Sequence, residues 1–454
     1  MKRTFKEIEN FALTCDGVTL TNSTRAFLTV TAHFLKDNIL QSICLQAVRM
    51  NESHTGEYIC TLLQNTCREF GIEEFKLESL TTDNAKNMKA ASNLFLGVGH
   101  HVPCFAHTIN LVVDNTVKDI KSFSTVLDKV KRIVTYFKHS PAAMDVLRKL
   151  QSDEGVPEGC IRTLTQNIDT RWNSCLDMLI SFTDLENTVA MALINRSKST
   201  KILPEMLSKP ELDSGDFCEL LKPFKEATER VSGESYVTVS LVVPMITMSL
   251  AKLRKILVQS ADGILMKDVL LKRSDEYLIG LSKNKILIKA CLLDPRFKKM
   301  YIPPTMVLEA SKDILEEMQL NSEGKRRSLN VKPLEELDTT QVNRQESFFE
   351  AHNRTIQQNQ ISDSPYEKEF HLYISLPNTN WEADPLQFWT SQQQTMPHLS
   401  KLALRYLIIP GSSASSERMA SAIKCVVCYS RSRMTDRHVT QRVFLKSLAK
   451  HYWK

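Results

Sequence analysis

Apolar positions follow two different spacings in the first hundred residues of this chain. Three segments rich in β-branched and aromatic residues lie close together, at 11–16, 26–35 and 38–48. Short polar connections separate them, which predicts an antiparallel meander of three strands. A helical stretch, roughly Thr55 to Phe70, then precedes a fourth strand-like run, LESLTTD, which ends at Asp83. This order indicates an α/β sheet whose later strands pair in parallel through helical crossovers.

Helical spacing dominates the rest of the chain. The segment INLVVDNTVKDIKSFSTVLDKVKRIVTYF, which follows Cys104, carries apolar residues at helical spacing over almost thirty positions. Helical patterns resume at Pro385, and the serines directly before Glu417 predict a helix N-cap. The polar stretch 321–344 is the segment that we expect to be disordered.

Composition narrows the class of protein. A length of 454 residues predicts two or three cooperating units, and 13 glycines, well below average usage, favour helices. Eleven scattered cysteines, an odd number without scaffold spacing, indicate a reducing compartment. The N-terminus lacks the apolar segment of a signal peptide. The longest uncharged stretch, Ser235 to Ala251, is too short to cross a bilayer, so we expect a buried helix there and no membrane contact.

Positive charge is concentrated near the C-terminus. The formal net charge is +6, and residues 401–454 contain eleven Lys or Arg against two acidic residues. Such a local field attracts polyanions through counterion release, although a solvated basic helix face is an equally good interpretation. The densest run, SRSRMTDR, makes Arg431, Arg433 and Arg437 candidate DNA contacts.

Two aspartates follow predicted strands. Asp16 and Asp83 each precede a residue suited to a turn or a helix start, Gly17 and Asn84. If the two strands are neighbours, their carboxylates converge, and paired carboxylates can hold Mg²⁺ and activate a nucleophile at a phosphodiester. The alternative is that each Asp only caps a turn or a helix, which is common after a strand.

Nine segments spread over almost the whole chain form an ordered set of motifs. They are FALTCDGVTLTNSTRAFLTVTAHFL, NESHTGEYICTLLQ, TTDNAKNM, PCFAHTINL, DTRWNSCLDML, YVTVSLVVP, LLDPRFKKMYI, DPLQFW and LALRYLIIPGSSASSERMAS. In this order they resemble the successive blocks of hAT-superfamily transposases, especially their host-domesticated zinc-finger BED relatives. The resemblance implies a ribonuclease-H-like α/β core interrupted by a large all-α insertion, with a helical C-terminal dimerisation region. It places the first part of the core at 1–105, the insertion at 106–380 and the dimerisation region, which completes the core, at 381–454.

The resemblance also implies an acidic triad. By motif position, Asp16 in TCDG, Asp83 in TTDN and Glu417 in SSER would bind two divalent ions, Mg²⁺ or Mn²⁺, and support DNA strand cleavage and transfer. Two ions that bridge a scissile phosphate would stabilise both the attacking and the leaving oxygens. Glu417 has an ordinary alternative, because a glutamate in the first turn of a helix is favoured by the helix dipole.

Two further motifs of the family are present. Cys104 and His107 match its C-x-x-H element, and two ligands alone do not make a zinc site, so no zinc is expected in this chain. One interpretation is structural, with a buried cysteine and a histidine that positions the helix start. The alternatives are that the two residues support the metal ligands from behind, or that they contact DNA. Arg171 and Trp172 match the RW block, whose tryptophan resembles one that stacks on an extruded base. Packing of Trp172 into the core is equally compatible with the sequence.

The C-terminal segment combines apolar and basic residues. In the family this block is the dimerisation region, which predicts a homodimer or a larger homo-oligomer, while an apolar stripe there is also compatible with ordinary core. Cys425 and Cys428 form a C-x-x-C within a helical pattern, and we expect buried helix cysteines there rather than a metal site.

Departures from the family pattern leave two functions open. No Cys/His finger lies upstream of Asp16, so we expect the BED zinc finger to be missing from this chain. Val18 stands where a tryptophan commonly follows the DG pair, and Met419 and Ala420 replace the usual Val-Phe. The first function is a transposase-derived nuclear protein that dimerises and binds DNA or chromatin as a transcriptional regulator. The second is an active, metal-dependent hAT DNA transposase, and the missing finger favours the first.

Overall fold

The chain forms two compact units. The computed structural model describes residues 2–20, 24–168, 172–196, 203–208, 215–322, 364–427 and 434–448. The first unit contains residues 1–105, 231–244 and 281–454, and the second contains 106–230 and 245–280. The chain therefore returns to the sheet-containing unit at Leu281, whereas the sequence expectation carried the helical insertion to residue 380. Most of the predicted disordered stretch, from 323 onwards, lies outside the described residues.

A five-stranded mixed sheet organises the first unit. Its strands are β1 (Phe11–Leu20), β2 (Arg25–Lys36), β3 (Ile39–Met50), β4 (Leu77–Thr82) and β5 (His101–Pro103). The spatial order is β3-β2-β1-β4-β5, with β1 to β3 antiparallel and β4 and β5 parallel to β1. Both the predicted meander and the predicted parallel crossover strands are present, which confirms the α/β class.

Helices account for most of the remaining described residues. In chain order they are α1 (Lys2–Glu7), α2 (Gly56–Phe70), α3 (Lys86–Leu96), α4 (Phe105–Asp119), α5 (Lys121–His139), α6 (Pro141–Asp153), α7 (Trp172–Thr183), α8 (Glu186–Asn195), α9 (Gly215–Val231), α10 (Val242–Lys255), α11 (Ala261–Ser282), α12 (Lys285–Leu292), α13 (Pro304–Ser322), α14 (Pro365–Ser375), α15 (Pro385–Ser391), α16 (Pro397–Leu407), α17 (Ala414–Val426) and α18 (Asp436–Ser447). Short 3-10 turns lie at Glu74–Lys76, Glu158–Cys160 and Val239–Leu241. None of the described helices is long and apolar enough to span a membrane.

Strand β1 is longer than the sequence predicted. The expected strand ended at Asp16, but pairing with β2 continues to Leu20, so the placement of Asp16 at a strand end was wrong. The reason is the alternation beyond it, because Val18 and Leu20 are buried on one face while Thr19 is exposed on the other. Gly17 is therefore a residue within the strand and not the start of a turn.

One face of the sheet packs against α2 and α3. Thr55 caps α2 by accepting a hydrogen bond from the Tyr58 backbone N–H, and Gly71 ends the helix at a φ of 71°. Gly56 allows the two helices to approach closely, since a Cβ at this position would lie 2.8 Å from Cβ of Ala90. The apolar core on this face combines sheet residues with side chains of both helices: Phe11, Leu13, Leu28, Val30, Phe34, Ile59, Leu63, Met88 and Phe95.

The opposite face packs against α17 and α18. A second core joins sheet residues to the apolar stripes of these helices: Val18, Phe27, Cys44, Ala47, Ala420, Ile423, Val427, Val439 and Val443. Strand β3 lies at the edge of the sheet, where the register shift near Leu45 marks a bulge. Helix α18 satisfies backbone groups of this edge, because Ser447 Oγ accepts from Cys44 N–H at 3.1 Å and Thr440 Oγ1 donates to the Ala47 carbonyl at 2.6 Å.

The second unit is helical, as the apolar spacing predicted. The long pattern after Cys104 forms α4 and α5, which are separated by a break at Ile120, where the backbone is extended. Helix α6 begins with Pro141 at its first position, and the Ser140 hydroxyl accepts from the Ala143 backbone N–H. The rings of Phe123 and Phe217 lie 4.6 Å apart between centroids in the interior of this unit.

Candidate functional site

The parallel pairing of β1 with β4 places two of the predicted acids side by side. The register aligns Thr14 of β1 with Thr81 of β4, and Asp16 and Asp83 each lie two residues further along. Strand β4 ends at Thr82, so Asp83 is the first residue after the strand. The neighbouring strand β1 continues past Asp16 to Leu20. Asp83 Oδ1 accepts from the Ala85 backbone N–H at 3.2 Å, which is the turn contact expected of an aspartate after a strand.

The third acid approaches from α17. Side chains alternate along a strand, so Asp16 shares a face with Val18 and Leu20, the face that packs on α17. Glu417 is in the first turn of that helix. Burial raises the pKa of Asp16 to about 7, and the negative charges of Glu417 and Asp83 contribute to this rise, against a smaller opposing effect of Lys424. The structure thus brings the three predicted acids into one electrostatic cluster.

The chemistry of this cluster suits a hard divalent cation, but its placement does not form a ready site. Carboxylate oxygens are the donors that Mg²⁺ and Mn²⁺ prefer, and neighbouring carboxylates that repel one another are stabilised by a bound cation. Among the described residues, however, no group of three or more His, Cys, Asp or Glu side chains is placed to hold a metal ion. Assignment of Asp16, Asp83 and Glu417 as metal ligands therefore stays a prediction.

A buried polar seam lies behind Glu417. Thr14 Oγ1 is 2.7 Å from Ser416 Oγ, 3.0 Å from Ser415 Oγ and 3.1 Å from His33 Nε2. On its other side, His33 Nδ1 lies 2.7 Å from Ser42 Oγ. Burial lowers the pKa of His33 to about 3, so the ring is neutral near pH 7 and joins the seam as a hydrogen-bonding group without charge.

The seam fixes the first turn of α17 on the sheet. Thr29 Oγ1 donates to the carbonyls of both Asp16 and Ser416 at 3.1 Å, and Ser416 Oγ donates to Thr31 Oγ1 at 3.2 Å. The serines were expected to cap the helix. Ser413 does occupy the N-cap position, but its side chain makes no capping bond, and Ser415 and Ser416 bond across to the strands instead.

Sequence reasoning missed this seam although a signal for it exists. In the strand-like run AFLTVTAHFL, the polar residues Thr29, Thr31 and His33 recur at every second position. A period of two places them on one face, and all three are buried. A polar stripe inside a strand otherwise made of large apolar residues indicates a partner that can hydrogen-bond with it.

The C-x-x-H residues lie in different units. Cys104 is fully buried in the first unit, where its sulfur accepts from the Ser413 backbone N–H at 3.3 Å. His107 is half-buried on α4 in the second unit.

The tryptophan of the RW block is in the interior of the second unit. Trp172 begins α7 with 6% of its surface exposed, and its backbone N–H donates to Asn110 Oδ1 at 3.2 Å. The indole Nε1 is buried with no hydrogen-bond partner among the described residues. Core packing accounts for this placement, and base stacking stays a prediction. Arg171 lies outside the described residues.

The basic residues of the C-terminal segment are described only in part. Arg437 is exposed on α18, whereas Arg431 and Arg433 lie outside the described residues. Cys425 is exposed, so the expectation that it is buried was wrong, and Cys428 lies outside the described residues. The apolar stripe of α17 runs through Ala420 and Ile423, and Cys425 lies off that stripe.

Three family models match this chain in sequence. Residues 18–99 match the ZBED1 RNase-like domain, residues 102–213 the ZBED1 RNase-like helical domain, and residues 369–448 the hAT family C-terminal dimerisation region. These matches, with the mixed sheet, confirm the ribonuclease-H-like α/β fold and the C-terminal dimerisation region.

Similar proteins belong to the same group. Zinc finger BED domain-containing protein 4 of Homo sapiens is 24% identical over 95% of this chain and 37% of its own length. Zinc finger BED domain-containing protein 6 of Mus musculus is 26% identical over 81% of this chain and 39% of its own length. The chain thus spans less than two fifths of the length of these curated relatives.

Proposed function

Because this chain belongs to the family of hAT-transposase-related zinc finger BED proteins, we propose that it is a domesticated transposase that dimerises and binds DNA in the nucleus. In this role it acts as a transcriptional regulator. The observation that supports DNA binding is the set of exposed cations on α18, which lies within the dimerisation region.

Helix α18 presents cations on a rigid support. Val439 and Val443 pack on the sheet, and Arg437, Arg442 and Lys446 are exposed on the same helix. The acid at the start of the helix, Asp436, is paired with Arg25 at 3.1 Å and so offsets the field of the helix only weakly. Exposed cations on a helix that packs on the sheet fit the phosphate backbone of DNA, whose contacts need positive charge and no base reading.

Dimer formation would double this surface. The dimerisation region extends over residues 369–448 and includes α15 to α18. Two copies of α18 on one particle would bind DNA with higher avidity than a single copy, because the second contact becomes intramolecular. We therefore expect the homodimer to be the form that binds DNA, and sedimentation at micromolar concentration tests its existence.

Salt-dependent DNA binding tests the proposal directly. The triple variant Arg437→Gln, Arg442→Gln, Lys446→Gln should weaken binding to duplex DNA of any sequence. The slope of log affinity against log salt concentration should fall by about 0.9 for each phosphate that the variant no longer neutralises. Fluorescence anisotropy with a labelled duplex at several salt concentrations measures both quantities.

A matched control distinguishes the loss of cations on α18 from the loss of positive charge elsewhere on the protein. Lys121, Lys138 and Lys149 are exposed cations of the second unit, and changing all three to Gln removes the same total charge. This control should keep most of the affinity and the salt slope. If both triple variants lose affinity equally, α18 is not the binding surface and the proposal fails.

The acidic cluster favours a second candidate function, divalent-ion-dependent cleavage and transfer of DNA strands. The observation behind it is the raised pKa of Asp16, because neighbouring carboxylates that repel one another are typical of sites that hold cations. Asp16, Asp83 and Glu417 would hold Mg²⁺ or Mn²⁺ in this candidate function.

Ion binding and strand cleavage are measured separately. Mn²⁺ should raise the melting temperature of the wild-type protein but not that of Glu417→Gln, and nicking of supercoiled DNA should disappear in the same variant. Glu382→Gln, in the segment between α14 and α15 and away from the cluster, serves as the control. Nicking that persists in Glu417→Gln would exclude this candidate function.

A further inference from the structure

The segment that connects α16 to α17 is an unusual connection because it is almost entirely buried. Gly411, Ser412 and Ser413 are all buried, although loops usually run over the surface. Every buried backbone group in such a loop needs a partner. This loop, residues 410–413, also ends four residues before Glu417, so its position determines where α17 begins.

Contacts from several parts of the first unit hold this loop. Thr81 Oγ1 donates to the Pro410 carbonyl at 3.0 Å, and the Phe105 backbone N–H donates to the Gly411 carbonyl at 3.1 Å. The Gly411 backbone N–H donates to Thr238 Oγ1 at 3.0 Å. A Cβ at Gly411 would lie 2.8 Å from the Thr238 carbonyl oxygen, so only glycine fits the cradle that these residues form.

The segment that contains Thr238 is itself held by a buried ion pair. Thr238 precedes Ser240, whose hydroxyl donates to Asp294 Oδ2 at 2.6 Å. Asp294 is fully buried and is paired with Arg296 through bonds of 2.7 to 3.2 Å. A buried, bidentate ion pair of this kind has a fixed geometry. The loop is thus held against a well-fixed part of the unit.

Cys104 has a special position in this arrangement because it bonds in two directions. Its backbone N–H donates to the Thr82 carbonyl at 2.8 Å, directly before Asp83. Its sulfur accepts from the Ser413 backbone N–H at 3.3 Å, four residues before Glu417. One buried residue therefore connects the end of β4, next to Asp83, with the start of the helix that carries Glu417.

We propose that Cys104 is a positioning residue that sets the separation between Asp83 and Glu417. Its thiol is fully buried, which makes it inaccessible as a nucleophile or a DNA contact, and its hydrogen bond from Ser413 ties it to the loop. This inference gives a role to the cysteine of the C-x-x-H element, and it rests on the second candidate function only for the importance of the two carboxylates.

The test compares variants of Cys104 in the full chain. Cys104→Ala removes the acceptor and should accelerate amide hydrogen exchange in residues 411–417 about fivefold or more. Carbodiimide-driven labelling of Glu417, read by mass spectrometry, should rise in the same variant as α17 loosens. Cys104→Ser retains an acceptor at nearly the same place and should restore both readings towards wild type.

Two controls make the result specific. Cys67 is buried on α2 of the same unit, on the face of the sheet opposite α17, so Cys67→Ala should destabilise without changing exchange in 411–417. If Cys104→Ala does not fold, Ser413→Pro removes the donor instead, at a φ of −84° that is close to the proline range, with Ser413→Ala as its pair.

The inference is overturned if both acceptor and donor variants leave exchange and labelling at wild-type values, or if Cys67→Ala changes them equally. It is also overturned if Cys104→Ser behaves like Cys104→Ala, because the hydrogen-bond acceptor would then have no influence on the loop. A failure of wild-type protein to bind Mn²⁺ would reject the second candidate function and would leave these readings interpretable, since they report only the position of the loop and the carboxylate.

Discussion

Carboxylates lie near both ends of strand β4, but one is paired with a cation and the other lies among like charges. Near its start, the carboxylate of Glu78 is buried and ion-paired with Arg405 of α16. Directly after its end, Asp83 shares its surroundings with two other acids, Asp16 and Glu417, and burial together with these like charges raises the pKa of Asp16 to about 7. The strand is six residues long, so the two situations lie within one small region of the fold.

The paired end forms an extended network. Lys289 Nζ lies 2.5 Å from Glu317 Oε1, and the Tyr406 hydroxyl donates to the same carboxylate at 2.9 and 3.0 Å. Each carboxylate in this network therefore has a cation or a donor. Such an arrangement contributes specificity to the packing of α12, α13 and α16, and it suggests no further chemistry.

Compensation is weaker at the acidic end, where a backbone hydrogen bond from Gly17 and the charge of Lys424 lower the pKa of Asp16 less than burial and the two acids raise it. Within the part of the chain that the structure describes, Lys424 is the side-chain cation that acts on the pKa of Asp16, and its effect is the smallest of the causes. Like charges concentrated in this way cost stability and are typical of functional sites, which supports the proposed metal-binding role of the three acids.

The largest effect is expected at the paired end. Arg405→Met leaves the Glu78 carboxylate buried without its cation and should lower the free energy of unfolding by about 3–5 kcal/mol. Urea unfolding at pH 7 measures this. Arg148→Met breaks an exposed ion pair, in which the Arg148 side chain is 54% and the Asp145 side chain 70% exposed. This change should alter stability by less than about 1 kcal/mol. Equal losses in the two variants would remove the distinction between the buried and exposed pairs.

The acidic end should respond in the opposite direction. Asp16→Asn removes a carboxylate whose pKa is raised from 3.8 to about 7 and should stabilise the protein by up to about 4 kcal/mol at pH 8. The cost of ionising Asp16 is absent below about pH 4, where it is protonated in both folded and unfolded states. It grows as the pH rises towards 7 and is then constant. The stability gain should follow the same curve in urea titrations at pH 4, 6 and 8, and a gain independent of pH would contradict the assignment.

The polar seam should show a smaller loss. Thr14→Val keeps the shape of the side chain but removes the hydroxyl that faces His33, Ser415 and Ser416. We expect a loss of about 1–2 kcal/mol, because buried hydroxyls are left short of a partner. Thr19→Val, at an exposed position of the same strand, should be nearly neutral in the same urea measurement. A neutral Thr14→Val would show that the seam does not hold α17.

The smallest effect is expected from removing Lys424, the cation that lowers the pKa of Asp16. Lys424→Gln removes the cation that lowers the pKa of Asp16, so this pKa should rise slightly and the pH-dependent loss of stability should extend to a higher pH. Because Lys424 is exposed, the change in stability should stay below about 0.5 kcal/mol. The pH midpoint of the stability curve measures the shift, and a midpoint that moves downward would contradict the proposed role of Lys424.

Local pattern was sufficient for much of this fold. The runs rich in β-branched and aromatic residues predicted β2 and β3, and the prediction of α2 from about Thr55 to Phe70 agrees with the observed Gly56–Phe70. Ordered motifs pointed to all three acids, and a position after a strand-like run was correct for Asp83 but not for Asp16. These features depend on neighbours in sequence, such as side-chain alternation, caps and turn residues, and a single chain displays them directly.

Contacts between distant segments decided the rest. The length of β1 depended on a partner strand that offered pairing as far as Leu20. The serines before Glu417 bond to β1 and β2, about four hundred residues away, and Cys104 bonds to a loop 309 residues further along the chain. A hydroxyl or a thiol has the same local preference whether it caps its own helix or bonds to another strand. The sequence by itself therefore determined most of the local elements and named the candidate acids, and only the tertiary structure decided which charges are paired, which are concentrated together and what holds them in place.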